Sequence, residues 1–253
     1  MESGDLLTLL DHWPVEPGPA AHGRLAALLV ARGADEPALA KESLGERNRR
    51  LIALHDDWVV GEIEARVTCT ACATANSFSV PKAAMRALPP PPPDAVASVE
   101  HGGRSLRYRL PTMADIAAVA EIGDMSAMRA AMIDRCALDS DEVPASQLDA
   151  ATIDAIEAEL DRLDPLASIV VESACSDCGV AIAARVDLAA FVAADVDRIH
   201  AALFRDIDAI ASAYGWTETA IVALPADRRA RYVAMIAGRR AGQAPRTRRV
   251  ALG

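Results

Sequence analysis

Two Cys-x-x-Cys pairs that lie far apart in the sequence constrain the fold of this chain more than any other feature. Cys69 and Cys72 lie in VTCTACATANSFSV, and Cys175 and Cys178 lie in SACSDCGVAIAARV. Alternating apolar and polar residues around each pair predict strands, so each pair is expected at the tip of a β-hairpin. Two such knuckles that face each other supply the four thiolates of a tetrahedral structural zinc site.

The predicted metal site is split, because everything between the two pairs becomes one long insertion. The entropic cost of closing a loop grows only with the logarithm of its length, so the separation does not exclude the site. A bound Zn²⁺ would join the N-terminal half of the chain to the C-terminal half. Two alternatives stay open, a redox centre and a site without metal. The redox hypothesis requires a pair at a helix N-terminus, where neither pair is predicted.

The two cysteine regions resemble each other beyond the pairs themselves. When Cys69 is aligned with Cys175, Val80 falls on Val186, and a strand, a knuckle, a strand and a helix follow one another in both regions. Gly179 follows the second pair, where such a turn favours a left-handed residue, and the equivalent Ala73 is a departure from that pattern. The alignment predicts equivalent local structures, with the first knuckle the less regular of the two.

The fold class predicted from these patterns is α+β and predominantly helical, with a split zinc-ribbon-like element and a long C-terminal helix. Five consecutive prolines favour an extended spacer over a helix or a central strand. The predicted segments are an N-terminal helical region (1–62), the first knuckle (63–88), a proline linker (89–94), an inserted hairpin with helices (95–167), the second knuckle that completes the zinc ribbon (168–186), C-terminal helices (187–240) and a basic disordered tail (241–253).

The long helix is predicted to start at Asp187 and to end at Gly215, because apolar residues recur there at intervals of three and four. The fifth cysteine, Cys136, lies in an apolar helical pattern and is predicted to be a small buried hydrophobe, not a ligand. The apolar stripe of the long helix consists of Leu188, Val192, Val196, Ile199, Leu203, Ile207, Ile210 and Tyr214.

Charge and hydropathy exclude several classes of partner. A net charge of −10 argues against a protein whose main partner is nucleic acid. The tail is the exception, since five arginines fall between Arg239 and Arg249, either as a disordered segment or as an anchor for an acidic partner. We expect a cytoplasmic protein without a membrane partner, because the sequence has neither a long apolar run nor a signal-peptide pattern.

Catalytic motifs are missing from the sequence. Four thiolates leave no open ligand position on a zinc ion, so a catalytic metal is not expected. The five histidines have no metal-binding spacing and are predicted to be surface or capping residues. We therefore predict a protein that is not an enzyme and has no small-molecule substrate.

Several stretches of the sequence resemble the phage T4-type baseplate protein family, from about Leu44 to Ile236. They are LGERNRRLIALHDDWVVGEIEARVTCTAC, YRLPTMADIAAVA with AMIDRCAL, DPLASIVVESACSDCGVAIAARVDLAAF and YGWTETAIVALPADRRARYVAMI. The resemblance implies an assembly role: members are baseplate hub assembly chaperones or baseplate proteins of contractile phage tails and phage-tail-like injection systems. It further implies partners among tail or baseplate proteins, and a protein made in the bacterial cytoplasm that either leaves or stays in the assembled particle.

The last of these stretches contains the candidate partner-binding residues, Trp216, Arg228, Arg229 and Tyr232, which are of the types that dominate interface energetics. The alternative is that Trp216 and Tyr232 only pack the last helix onto the long one. A second functional hypothesis is a zinc-ribbon nucleic-acid-binding or regulatory protein that uses the arginine tail. A third hypothesis is a hydrolase with a degenerate zinc site. The sequence does not contain the ligands of a catalytic zinc ion that keeps one coordination position open.

Overall fold

The computed structural model describes residues 3–14, 21–59, 61–139 and 143–243. This part of the chain is mainly helical and contains small antiparallel sheets and a long C-terminal helix, so the predicted α+β class is confirmed. The α-helices are α1 (Ser3–His12), α2 (Ala21–Ala31), α3 (Glu36–Lys41), α4 (Leu44–Trp58), α5 (Lys82–Ala87), α6 (Met113–Val119), α7 (Met125–Cys136), α8 (Ala150–Leu163), α9 (Leu188–Tyr214), α10 (Glu218–Val222) and α11 (Ala226–Gln243). The strands are β1 (Ile63–Thr68), β2 (Ala75–Val80), β3 (Val96–His101), β4 (Arg104–Arg109), β5 (Ile169–Ala174) and β6 (Ala181–Val186).

Each sheet in the described ranges is a two-stranded hairpin of consecutive strands, β1–β2, β3–β4 or β5–β6. The middle hairpin lies in the segment where one was predicted (95–167) and turns at Gly102 and Gly103, which have positive φ, +58° and +78°. Positive φ at both central residues is the requirement of the tight turn that matches the twist of paired strands. A two-stranded hairpin is only marginally stable alone, so each of these needs further packing.

Local sequence signals set several helix boundaries. Ser43 and Glu46 form a reciprocal capping box at the start of α4, and Thr112 and Asp115 form another at the start of α6. Gly215 has a φ of +69° immediately after α9, so the helix ends at a residue for which the left-handed conformation costs little.

The chain divides into two compact units, Pro19–Ala193 and a second made of Met1–Gly18 with Ala194–Gly253. In the first unit, the hairpin β3–β4 packs against α7 and α8. Cys136 is fully buried there, and burial raises the pKa of its thiol to about 11, so the prediction of a small buried hydrophobe is confirmed. The buried residues of this core are Ala97, Leu106, Tyr108, Ile133, Cys136, Ala145, Leu148 and Ile156.

The second unit has a core of its own, built from α1, the C-terminal part of α9, α10 and α11. Trp13 is buried in this unit, and its indole N–H donates to Asp197 at 2.7 Å. The buried residues of the core are Leu6, Leu203, Ile207, Ile210, Ile221, Val222 and Ile236.

The apolar stripe of α9 is a core feature. Of its eight positions, Ile199 and Tyr214 are half-buried and the others are buried. The apolar face of this 27-residue helix therefore packs against other residues of this chain. It is not a free surface for another protein. Among the described residues, none of the helices combines the length and apolar character needed to cross a membrane.

The predicted proline linker has no regular secondary structure, whereas the predicted disordered tail begins with helical residues. The proline linker contains neither helix nor strand, and Arg49 binds its start by donating to the carbonyls of Leu88 (2.9 Å) and Pro89 (2.6 Å). Helix α11 continues to Gln243, so the first residues of the predicted tail (241–253) are helical. The rest of that tail lies outside the described residues.

Candidate metal centre

Both cysteine pairs lie in hairpin turns with the same backbone hydrogen bonds. In the first turn, the N–H of Cys69 donates to the carbonyl of Thr74 (2.9 Å) and the N–H of Ala73 donates to Cys69 (2.9 Å). The second turn repeats these bonds at the equivalent positions, from Cys175 to Val180 (2.8 Å) and from Gly179 to Cys175 (3.0 Å). The flanking hairpins also have the same register, since the first residue of the first strand pairs with the last residue of the second strand in both. The predicted equivalence of the two local structures is confirmed.

The first knuckle is as regular as the second, contrary to the expectation that Ala73 would disturb it. Ala73 adopts a φ of +61°, close to the +71° of Gly179. An L-residue in this conformation brings its Cβ close to the following carbonyl oxygen, at a cost of roughly 1–2 kcal/mol. The turn therefore keeps its geometry, and the protein carries a small backbone strain at Ala73.

This strain gives a pair of substitutions with opposite effects. Ala73→Gly should raise the free energy of unfolding by about 0.5–1 kcal/mol, since relief of strain exceeds the added flexibility of the unfolded chain. Gly179→Ala should lower it by a similar amount, because its φ becomes strained although a Cβ there meets no atom within 4 Å. Urea unfolding of both variants checks this, and a change of the same sign in both would contradict it.

The two turns bring the four cysteines together. Their sulfur atoms all lie within 4.8 Å of one another. Across the knuckles, the sulfur of Cys69 lies 3.7 Å from that of Cys178, and the sulfur of Cys72 lies 3.6 Å from that of Cys175. Zinc–sulfur bonds of about 2.3 Å in a tetrahedron require sulfur separations of about 3.8 Å. The described residues thus contain a four-thiol cluster whose dimensions fit a metal ion of this kind.

Asn76 links the two knuckles independently of any metal. Its side chain is 5% exposed and uses all of its hydrogen-bonding capacity. The amide nitrogen donates to the carbonyl of Thr74 (3.0 Å) and to the sulfur of Cys175 (3.6 Å). The amide oxygen accepts from the N–H (2.9 Å) and the hydroxyl (3.0 Å) of Ser176. One side chain in β2 therefore fixes the turn of the other hairpin.

Asn76 was not among the predicted site residues, although the sequence contains a signal for it. In the alignment of the two cysteine regions, Asn76 falls on Ile182, which is a buried apolar residue. A polar residue at a position that is apolar in the equivalent structure must satisfy its hydrogen bonds after burial. The difference between the two repeats could have indicated a contact between them.

Hydrogen bonds around the cluster favour thiolates at two positions. The backbone N–H groups of Cys178 and Asp177, with help from Asn76, lower the pKa of Cys175 to about 6. The hydroxyl and the backbone of Thr74 likewise lower the pKa of Cys72. A thiolate is the form that binds a metal, so these groups prepare the site for a cation.

The arrangement fits a structural metal better than a catalytic or redox centre. Cys69 and Cys175 are buried, Cys72 is half-buried and Cys178 is exposed. Four thiolates complete the coordination of a tetrahedral ion, which leaves no position for a substrate. Neither pair opens a helix, so neither has the helix N-terminus that activates the thiol of a redox Cys-x-x-Cys motif.

The candidate partner-binding residues separate into different environments. Trp216 and Tyr232 are half-buried and contact each other edge to face at a centroid distance of 5.0 Å, and Trp216 also stacks on Tyr214 at 5.3 Å. Arg229 is 6% exposed and donates to Asp206 at 3.2 Å. Arg228 is exposed. Three of the four candidates therefore stabilise the packing of α11 on α9, and Arg228 points to solvent.

Two histidines differ from their predicted surface or capping roles. His200 is buried, and burial lowers its pKa. His55 is 2% exposed and lies 3.2 Å from the ammonium group of Lys82. Lys82 also donates to Val59 (2.9 Å) and pairs with Asp56 (2.7 Å), so this buried cation is satisfied. The sequence pattern missed these residues because their burial depends on contacts between elements.

Comparison with known proteins gave no match: no protein-family model, curated protein or solved structure matches this chain.

Proposed function

We propose that this chain is a non-enzymatic assembly chaperone or baseplate component of a contractile phage tail or phage-tail-like injection particle. It binds tail or baseplate proteins in the cytoplasm of the producing bacterial cell. A structural Zn²⁺ held by Cys69, Cys72, Cys175 and Cys178 stabilises it. The split zinc ribbon joins the segments on either side of a long insertion.

The observation that carries the proposal is the convergence of the two cysteine pairs. Their unusual separation is one of the most specific parts of the resemblance to the T4-type baseplate family, and their sulfur atoms nevertheless lie within 4.8 Å of one another. The order of the other similar stretches agrees with the same family. A closed four-thiol site supports a non-enzymatic role, because it can hold a fold together but cannot bind a substrate on its metal.

One face of α11 is the surface best suited to a partner. Arg228, Arg231, Met235 and Arg239 are exposed at intervals of three or four residues, and Met235 is 56% exposed. Residues at this spacing lie on one side of a helix. Arginine and methionine are enriched at protein interfaces, so we assign this face to the contact with a tail or baseplate protein.

The test is recovery of particle proteins with an affinity-tagged chain from bacteria that assemble the particle. Wild-type protein should recover sheath, tube or baseplate proteins identified by mass spectrometry. Arg228→Glu should recover them at least several-fold less well, since it reverses a charge in the interface without touching the core. Arg205→Glu, at an exposed position of α9, is the matched control and should behave as wild type.

The assignment would be contradicted if the wild-type protein recovers no sheath, tube or baseplate protein. It would also be contradicted if Arg228→Glu and Arg205→Glu reduce this recovery equally. Unchanged melting temperatures show that neither substitution acts through the fold. The position of the gene gives a second check, because the proposal predicts sheath, tube and spike genes beside it.

A nucleic-acid-binding zinc ribbon remains the second candidate, and the basic face of α11 is the observation that favours it. The knuckles themselves offer little, since Lys82 is buried and the exposed cations of their strands, Arg66 and Arg185, are few. Binding of duplex DNA that persists at moderate salt would support this candidate over the first. Binding that vanishes as salt is raised would leave only a non-specific electrostatic contact.

A further inference from the structure

A large apolar cavity lies within the unit Pro19–Ala193, away from the cysteine cluster. Its volume is about 710 Å³, and its walls come from α2, α3, α4, α6 and the first turn of α9. Small-molecule sites are typically apolar clefts of roughly 300–1,000 Å³ with a few polar groups that fix the orientation of the ligand. The larger apolar side chains of the lining are Leu25, Leu29, Val30, Leu39, Met113 and Ile116.

One cation in the wall of this cavity, Arg47, forms hydrogen bonds to neutral groups alone within the described part of the chain. Arg47 donates to the amide oxygen of Asn48 (2.6 Å) and contacts Nδ1 of His22 (2.6 Å). Burial and the positive charge of Arg47 lower the pKa of His22, so its imidazole is neutral and accepts the hydrogen bond. The guanidinium group is half-buried beside apolar side chains, where an unpaired charge is costly.

The nearby carboxylates do not neutralise this arginine by contact. Within the described ranges, no carboxylate oxygen lies within ion-pair distance of Arg47, and Asp187 acts on it only from further away. Glu42 also lines the cavity, but it pairs with Arg50 at 2.6 Å. Glu36 is exposed in the lining. Burial is accordingly the main effect on Arg47, and it lowers the pKa of the guanidinium group.

The entrance to the cavity is formed by small side chains. Ala117 of α6 and Ala120, which directly follows this helix, line the cavity and are exposed to solvent, so this side of the cavity is open. Ala118 lies on the same helix and is exposed, but it does not line the cavity. A ligand can therefore enter over α6 without a change in the core.

From these observations we infer that the cavity binds a small amphipathic carboxylate, with its apolar body among the aliphatic side chains and its carboxylate on Arg47. The planar guanidinium group is suited to a carboxylate, which supplies the ion-pair partner that Arg47 does not have among the described residues. The apolar lining supplies most of the affinity, and Arg47 selects the charge of the head group. This is a ligand site, with no reaction assigned to it, and it does not depend on the proposed function.

The inference is tested by measuring the affinities of straight-chain amphiphiles for the full chain by calorimetry. Decanoate should bind at least about tenfold more tightly than decanol, because a hydrogen bond to a charged group discriminates by that order. Decyltrimethylammonium should bind more weakly than decanol. Going from octanoate to decanoate, each added methylene should strengthen binding by about fourfold.

Two substitutions locate the site, each with a matched control. Arg47→Gln should remove the preference for decanoate over decanol, whereas Arg66→Gln, the same change at an exposed position of β1, should leave it unchanged. Ala117→Phe fills the entrance and should weaken both probes at least tenfold, whereas Ala118→Phe should change neither by more than twofold.

Several results would overturn the inference. These are no binding of decanoate, equal affinity for all three head groups, or a wild-type response of both Arg47→Gln and Ala117→Phe. Ala117 is exposed, so its substitution tests the site even if the loss of Arg47 destabilises α4. Thermal melting of each variant identifies any that fail to fold.

Discussion

Purified protein is expected to contain about one zinc ion per chain, and the double substitution Cys69→Ser and Cys175→Ser should remove it. These two cysteines are the buried members of the cluster, one from each knuckle. Their loss leaves two ligands from different hairpins, which cannot complete a tetrahedron. Elemental analysis of the folded protein gives the metal content directly.

The same substitution should lower stability by several kcal/mol. Metal that binds only the folded chain stabilises it by about 4 kcal/mol when its free concentration is a thousand times the dissociation constant. The cluster has little else to replace this contribution, since its apolar neighbourhood is small and its hairpins have two strands each. A strong chelator should therefore lower the melting temperature of the wild type and leave that of the variant unchanged.

Cys136→Ala is the matched control for the metal prediction. Cys136 is a buried cysteine outside the cluster, so its substitution should reduce stability slightly through lost packing while zinc stays at one per chain. A folded wild-type protein without bound metal, or a double Ser variant that retains it, would contradict the assignment of the cluster as a zinc site.

Local features of this fold were predictable from the sequence because local interactions determine them. The hairpins follow from strand alternation, the turn at Gly102 and Gly103 from the need for positive φ, and the start of α6 from its capping box. The convergence of the cysteine pairs was also predictable, for a chemical reason: four thiols in two hairpin turns match one tetrahedral ion.

Features that depend on tertiary packing could not be predicted in the same way. Asn76 and Lys82 are polar residues that are buried only because partners from other elements satisfy them. The periodicity of α9 identified an apolar face, but not whether this chain or another protein covers it. Ala73 shows a further limit, since the hairpin imposes a left-handed conformation that the residue itself disfavours.

Gly45→Ala is expected to destabilise the protein by about 3 kcal/mol, through overpacking and the loss of a buried hydrogen bond. A Cβ at Gly45 would lie 1.7 Å from Oδ1 and 2.5 Å from Cγ of Asp164, so the carboxylate must move. Asp164 is 1% exposed, and its other oxygen accepts from the N–H of Gly45 at 2.8 Å. A movement large enough to relieve this contact disrupts the hydrogen bond and leaves a buried polar group without its partner.

A double-mutant cycle isolates this contact. Asp164→Ala removes both the clash and the hydrogen bond, so adding Gly45→Ala to it should cost much less than in the wild type. The coupling free energy should be about 1–3 kcal/mol, within the range for residues in contact. Urea unfolding of the four proteins measures it. Strictly additive effects would mean that the two residues do not meet.

Gly123→Ala is the control for Gly45→Ala, because a Cβ at Gly123 meets no atom within 4 Å. This substitution should change stability by less than about 0.5 kcal/mol.

The position of the Gly45 contact makes a further outcome testable. Asn48, one turn along α4, donates to the carbonyl of Leu166 at 2.7 Å, so α4 binds the connection from α8 to β5 at two points. Helix α4 leads into the first knuckle and this connection leads into the second. Gly45→Ala should therefore also weaken zinc retention against a chelator, whereas Gly123→Ala should not, because the metal and the Gly45 contact hold the same two segments together.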